Sequence, residues 1–128
     1  MKLIPAFACL LVAASAIEAH HSFAAEFDIS KPVCLKGVLT RIDFSNPHTH
    51  FFLDVKDADG RVVTWVIEAA SPNGLLRRGF TKRSVAEGTE VTIDAYCSKS
   101  NPHQASARDI VLPGGYIFLL GSFSEGVK

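Results

Sequence analysis

This chain of 128 residues has no excess of positive or negative charge. The 13 Lys and Arg residues balance 13 Asp and Glu residues, so the formal net charge is zero. Affinity for nucleic acid comes largely from the neutralisation of phosphates, so a neutral domain has no broad electrostatic attraction to DNA or RNA. The composition therefore argues against a nucleic-acid partner.

Catalytic signatures are scarce as well. The sequence has no Gly-x-Ser-x-Gly nucleophile motif, no phosphate-binding glycine loop and no Cys-x-x-Cys pair. Asp54 and Glu68 are acids that neighbouring strands would bring together, and paired carboxylates perform acid–base chemistry when they are close. Because such acids are mostly solvated, we predict a protein without chemistry of its own.

Cysteine is also rare, with 3 residues in the chain. Cys9 lies in the apolar N-terminal run, which leaves Cys34 and Cys97. An oxidising compartment would allow a Cys34–Cys97 disulfide, and the alternative is two free thiols. Strand alternation places Cys97 on an apolar face and Cys34 on a face shared with Lys36, so the pattern leaves both alternatives open.

The chain begins with features typical of an export signal. Lys2 precedes an almost wholly apolar run, Leu3 to Ala16, which is too short to span a bilayer. Small residues offer cleavage sites after Ala16 or after Ala19, the second of which would make His20 the new N-terminus. We therefore predict a signal peptide over residues 1–19, a periplasmic or secreted location and no membrane insertion after cleavage.

Alternating hydrophobicity predicts six short strands in the rest of the chain. They cover residues 33–44, 48–56, 61–69, 89–97, 105–112 and 116–120. The apolar positions change parity near Thr40-Arg41, which predicts a bulge in the first strand, and Gly37 predicts a close backbone approach or a bend. Asp59-Gly60 predicts a hairpin turn between the second and third strands.

A helical insert is predicted between the third and fourth strands. Ser71 is a suitable N-cap, Pro72 suits the first helical position and Gly79 ends the pattern. Thr81 suits the cap of a second short helical turn through Ala86, which Gly88 would end. This order predicts an all-β fold, a small OB-fold-like barrel of five to six strands, with an open β-sandwich as the rival. Residues 20–32 are predicted as an N-terminal arm, 33–120 as the barrel domain and 121–128 as a flexible tail.

Several stretches of the chain carry recognisable motifs, namely His20-His21-Ser22-Phe23-Ala24-Ala25-Glu26-Phe27-Asp28, Leu35-Lys36-Gly37, Asn46-Pro47-His48, Ser71-Pro72-Asn73-Gly74-Leu75-Leu76-Arg77-Arg78-Gly79 and Ala107-Arg108. Together they resemble those of a widespread family of small exported proteins of Gram-negative bacteria, classed as a domain of unknown function. The resemblance implies export and a single β domain, and it implies no reaction. Asn101-Pro102-His103 and both mature cysteines depart from the family's usual pattern.

The 5 histidines are the candidate metal ligands. Imidazole nitrogen suits copper or zinc. In an OB-fold the two Asn-Pro-His tripeptides would lie at the same end of the barrel, so His48 and His103 would converge, with His50 beside them. The alternative is that these histidines are structural or solvated. The predicted ligands are His48, His50, His103, His20 and His21.

A binding surface is the other candidate site. OB-folds bind ligands with their second and third strands and the adjoining loops, which makes Phe52, Trp65 and Tyr96 candidates. We therefore predict an exported binding or interaction module whose partner is a small ligand or a periplasmic protein. The alternative is a periplasmic copper- or zinc-binding protein. The local basic cluster Arg77, Arg78, Lys82 and Arg83 is interpreted as a solvated surface.

Overall fold

The computed structural model describes residues 23–122, which form a six-stranded, mostly antiparallel β-sheet with two short helical segments. One helical segment covers residues 23–26, and the helix Pro72–Arg77 lies between the third and fourth strands. The strands are β1 Phe27–Asp43, β2 His50–Lys56, β3 Val62–Glu68, β4 Glu90–Ser98, β5 Gln104–Val111 and β6 Ile117–Leu119. The predicted β-rich class and the position of the helical insert are confirmed.

Some predictions fall on other parts of the chain. The signal peptide, His20 and His21, and the last six residues of the predicted tail lie outside the described residues. Within residues 23–122, no helix is long and apolar enough to cross a membrane.

The strand order is β3-β2-β1-β4-β5-β6, with a further pairing between β3 and β5. That further pairing is parallel and joins Val66 to Gln104 and Glu68 to Ser106. The second half of β5 pairs with β6, from Asp109 to Val111. The first half of β5 therefore lies beside β3, while its second half carries the short last strand.

The first strand contains the predicted irregularity. The register between β1 and β2 shifts between Leu39 and Arg41, where the apolar positions change parity. Gly37 lies against Asp54, where an added Cβ would collide with the backbone carbonyl. The bulge and the close approach are both confirmed, and together they allow one long strand to pair with β2 and β4.

The first strand also begins earlier than predicted. It starts at Phe27 rather than Val33, so residues 28–32 belong to the sheet and not to the predicted N-terminal arm. Phe27 is buried and its ring centroid lies 5.4 Å from that of Phe23. The backbone N–H of Lys99 donates to the carbonyl of Glu26 at 2.8 Å, so the N-terminal segment is attached to the end of β4.

One hydrophobic core fills the space between the strands and the helix. Leu39, Phe51, Leu53, Ile67 and Ile93 are completely inaccessible to solvent. These residues lie at alternating positions of their strands, which directs their side chains to the inner face of the sheet. The helix adds Leu75, and the loop after it adds Phe80, so the insert closes one side of the core.

The helix begins as its sequence predicts. The Ser71 hydroxyl accepts a hydrogen bond from the Gly74 N–H at 3.1 Å, and Pro72 occupies the first turn. Gly79 follows the helix with a φ of 84°, a conformation that favours glycine. The predicted second helical turn after Thr81 is a non-helical loop, because the Thr81 and Ser84 side chains hydrogen-bond to nearby backbone N–H groups.

Cys34 and Cys97 are both free. Cys34 lies opposite Asp94 in the β1–β4 register, and Cys97 lies three residues further along β4. Cys34 and Asp94 are directly opposite and share a face of the sheet, whereas Cys97 is an odd number of residues from Asp94. The two cysteine side chains therefore lie on opposite faces. Of the two alternatives that the sequence left open, the structure therefore has the free thiols and no Cys34–Cys97 disulfide.

Candidate functional site

An open groove lies between the end of β1 and the helical insert. Phe44, which follows β1, forms one wall, and the helix forms the other. The loop after the helix borders the groove with two basic side chains, Lys82 and Arg83. The lining residues are Phe44, Pro72, Asn73, Leu76, Phe80, Thr81, Lys82 and Arg83.

Aromatic rings build the floor of this groove. Phe80 is 1% exposed, and its ring centroid lies 6.5 Å from Phe44, 5.7 Å from Phe51 and 5.4 Å from Phe118. Rings at these separations pack against one another. The apolar floor of the groove is therefore continuous with the hydrophobic core.

Basic side chains form the rim. The Lys82 ammonium lies 5.7 Å from the centroid of the Phe44 ring, within the range of a cation–π contact. Arg83 is exposed beside it, and its N–H donates to the Thr81 hydroxyl at 3.1 Å, which fixes this turn of the loop. The groove therefore combines an apolar floor with a positively charged edge.

Arg78 has a different role from the other members of the basic cluster. Its Nη1 donates to the carbonyl of Leu119 at 3.2 Å and to that of Gly121 at 2.7 Å. It joins the end of the helix to β6 and to the segment that follows. The interpretation of the whole cluster as a solvated surface is therefore wrong for Arg78, which has two structural acceptors.

His48 is held beside the end of β3. Its Nε2 lies 3.1 Å from the Glu68 carboxylate, and its Nδ1 lies 3.2 Å from the carbonyl of Ala69. The Ser122 hydroxyl lies 3.4 Å from the same Nδ1. His48 therefore connects the loop before β2 with β3 and with the last described residue.

The other predicted metal ligands have different neighbours. His50 lies opposite Glu68 in the β2–β3 register, and the His103 ring lies edge-on to Trp65 with centroids 5.5 Å apart. Among residues 23–122, no group of three or more His, Cys, Asp or Glu side chains is arranged to hold a metal ion. Metal binding by these histidines, with His20 and His21 outside the described residues, stays a prediction.

The predicted aromatic ligand surface is not assembled on one face. The Arg41 guanidinium lies 4.1 Å from the centre of the Phe52 ring, on the face of β2 opposite the core. Trp65 packs against the core instead. Tyr96 pairs with Pro32 at the far end of β1. The structure therefore does not bring Phe52, Trp65 and Tyr96 together.

The two acids considered for acid–base chemistry also have separate partners. The Asp54 carboxylate accepts a hydrogen bond from the Thr64 hydroxyl at 2.7 Å. Glu68 instead pairs with His48. The register places Asp54 opposite Thr64 and Glu68 opposite His50, so the two carboxylates lie at different ends of the β2–β3 pair.

A polar cluster on the outer face of β1, β4 and β5 surrounds Cys34. The thiol donates to the Asp94 carboxylate, and this hydrogen bond, followed by partial burial and the charge of Asp94, raises the pKa of Cys34. Arg108 lies 3.5 Å from Asp94 and 2.9 Å from Asp109. Hydrogen bonding to Asp109 is the main cause of the raised pKa of Arg108.

The groove was not predicted as a site from the sequence. The sequence feature that could have indicated it is a set of apolar residues, Phe44, Leu76 and Phe80, together with the basic cluster. Phe44 lies far in sequence from the others. Only the packing of the insert against the end of β1 shows that they share one surface.

These features define a small, mostly antiparallel β protein with a helical insert and an open, basic-rimmed groove. The chain belongs to the Family of unknown function (DUF6152), whose model matches residues 7–106. This confirms the predicted membership of a family classed as a domain of unknown function. The comparisons with curated proteins and with solved structures give no match.

Proposed function

We propose that this protein is an exported binding module without chemistry of its own, and that it holds its ligand in the groove beside the helix. The observation that carries this proposal is the aromatic floor, with the buried Phe80 at its base, next to the exposed cations Lys82 and Arg83. Apolar concave sites with a few charged groups at the edge are typical of small-ligand binding.

The proposed scaffold is an OB-fold-like barrel. The order β3-β2-β1-β4-β5 with a parallel β3–β5 pairing supports it, because this pairing joins the two ends of the five-strand order. The helix between β3 and β4 supports it as well. In this scheme the ligand lies beside the helix and not on the outer faces of β2 and β3.

The proposed ligand carries an apolar group and a negative charge. An aliphatic or aromatic group would cover Leu76 and the ring of Phe44, where it would lose contact with water. A carboxylate or sulfonate would then lie beside Lys82 and Arg83. The neutral composition of the whole chain makes this local positive charge a feature of the groove rather than of the protein.

An anionic aromatic probe tests this proposal. The fluorescence of 8-anilinonaphthalene-1-sulfonate should increase on binding to the folded protein, and the affinity should fall as salt is added. The double variant Lys82→Ala/Arg83→Ala should weaken binding at least about fivefold, the effect of removing one interaction of ~1 kcal/mol.

The matched control is Lys56→Ala/Arg61→Ala, which removes the same charge from the β2–β3 hairpin. It should bind the probe as the unsubstituted protein does. Thermal unfolding would establish that both variants are folded. Equal weakening in the two double variants, or no weakening in either, would exclude the groove as the binding site.

The alternative function is copper or zinc binding through histidine. The supporting observation is that His48 and His50 both adjoin Glu68. Copper and zinc titrations of the protein should then show a site that weakens at least tenfold in a His48→Ala/His103→Ala variant. Equal affinity in the two proteins would remove this pair from the ligand set and direct attention to His20 and His21.

A further inference from the structure

The positive charge at the groove extends past the residues that line it. Arg77 is exposed and does not line the groove, but it lies four residues after Asn73 in the same helix, and Asn73 does. Residues four apart in an α-helix are neighbours on one side of it. Arg77 is therefore next to the wall that the helix provides, and with Lys82 and Arg83 it makes three exposed cations in or beside the groove.

No acidic side chain in the protein pairs with these three cations. Residues 69–86 contain no Asp or Glu, and none of the residues that line the groove is acidic. In the described part of the chain, the ion pairs of Lys and Arg side chains involve Lys36 and Arg108, which lie on strands β1 and β5. Asp43 precedes Phe44, but strand alternation directs its side chain to the opposite face. The three cations are therefore available to an external anion.

The walls of the groove also expose apolar surface. Leu76 lines the groove and is 59% exposed, which is unusual for a large hydrophobic side chain. Pro72 and the half-buried ring of Phe44 are further parts of the lining. Phe80 in the floor is only 1% exposed. The apolar surface that a ligand can cover is therefore in the walls, on the same helix as Arg77.

We propose that the groove receives an acidic segment of a partner protein. This inference rests on the proposed function and names the class of ligand. One apolar side chain of the segment would cover Leu76 and the Phe44 ring. Its Asp or Glu side chains would pair with Lys82 and Arg83 in the groove and with Arg77 beyond it.

A protein segment covers these residues better than a smaller or a purely ionic ligand does. A molecule with one apolar group and one negative charge fits the groove, but it leaves Arg77 without a partner. A polysaccharide or another simple polyanion pairs with the cations, but it has no apolar group to cover Leu76. A peptide carries carboxylates and apolar side chains on neighbouring residues, which matches the adjacent positions of Leu76 and Arg77.

Selection from a peptide library tests the proposal. Random peptides displayed on phage are selected on the unsubstituted protein, and a fluorescein-labelled peptide with the consensus sequence is then titrated by fluorescence anisotropy. The consensus should contain Asp or Glu on both sides of a large apolar residue. The affinity for this peptide should fall at least about fivefold in Arg77→Ala and at least about fivefold in Leu76→Ser.

Matched controls come from the β2–β3 hairpin. Arg61→Ala removes one exposed cation outside the groove. Val62→Ser removes an apolar side chain that is 60% exposed, close to the 59% of Leu76. Both control variants should bind the peptide as the unsubstituted protein does, and thermal unfolding would establish that all four variants are folded.

The anilinonaphthalene sulfonate titration separates this inference from the function on which it rests. Arg77 does not line the groove, so Arg77→Ala should bind that probe as the unsubstituted protein does. Probe binding that depends on Lys82 and Arg83, together with equal peptide affinity in Arg77→Ala and Arg61→Ala, would retain the groove and overturn the protein partner. Absence of probe binding would overturn the proposed function, and this inference with it.

Two further results would overturn the acidic segment. One is a consensus sequence without acidic residues. The other is competition by poly-L-glutamate that is as effective as competition by the unlabelled peptide, because the surface would then recognise charge alone.

Discussion

Cys34 and Asp94 face each other across β1 and β4, on the side of the sheet away from the core. A carboxylate that accepts the thiol proton stabilises the neutral form, which is why the pKa of Cys34 is raised. The thiolate is the nucleophile in alkylation and in disulfide exchange. An exposed thiol at this position is therefore less reactive near neutral pH than its accessibility alone would indicate.

Replacement of Asp94 by Asn should make Cys34 more reactive. The substitution removes the carboxylate charge and the acceptor that favours the protonated thiol, so the thiolate should form at a lower pH. Iodoacetamide alkylation followed from pH 6 to 10 in a Cys97→Ser background measures this change. Below the midpoint of the profile, the Asp94→Asn protein should react faster at each pH.

Asp54→Asn is the control for this experiment, because Asp54 bonds to Thr64 on another pair of strands. Its alkylation profile should coincide with that of the Cys97→Ser parent. Coincident profiles for Asp94→Asn and the parent would show that Asp94 does not control the thiol.

The strands were predictable because each one carries its own alternating pattern. β2 and β3 begin and end within two residues of their predicted limits. The bulge after Leu39 was predictable for the same reason. The extra residue shifts the apolar side chains that follow from odd-numbered to even-numbered positions, and this shift is seen in the sequence. The cap at Ser71 is equally local, because its partner Gly74 is three residues away.

Features that depend on distant partners were predicted less well. The start of β1 at Phe27 depends on pairing with Ser98, which no local pattern around residues 28–32 indicates. The loop after Thr81 has a helical pattern, and its side-chain hydrogen bonds to the backbone favour a turn instead. Propensity and periodicity describe neighbours in sequence, and these features are set by other contacts.

The residues of the candidate sites were also hard to group from the sequence, because their contacts join distant segments. The groove is formed by Phe44 together with residues between 72 and 83, which lie far from it in sequence. His48, in the loop before β2, has its partner Glu68 at the end of β3. The sequence identified His48, His50 and His103 as residues of interest, yet their neighbours Glu68 and Trp65 emerge only from the register of β3. The sequence therefore indicated which histidines to consider, but only the fold shows which side chains lie next to them.

At the scale of the whole molecule, the predicted export can be tested by the mass of the mature chain. Expression in a Gram-negative host should yield periplasmic protein that has lost its N-terminal apolar run. Intact-mass measurement would distinguish cleavage after Ala16, which leaves Ile17 first, from cleavage after Ala19, which leaves His20 first. A mass that includes residues 1–16 would contradict processing, and recovery in the cytoplasm alone would contradict export.

The result also affects the metal hypothesis. A free amine on His20 would add an N-terminal chelating group beside its own imidazole, whereas cleavage after Ala16 would place both His20 and His21 inside a longer tail. The mass spectrum and the metal titration therefore need the same preparation of protein.

The bond from Arg78 to Leu119 has a consequence for the behaviour of the protein at high concentration. β6 is the last strand in the sheet order, and its outer edge would otherwise present main-chain groups on which another chain could template a strand. The Arg78 guanidinium donates a hydrogen bond to the Leu119 carbonyl, which is then not free to accept one from another chain. In addition, β6 has only three residues, from Ile117 to Leu119. The edge is thus too short and too well capped to seed the strand-by-strand growth that leads to fibrils.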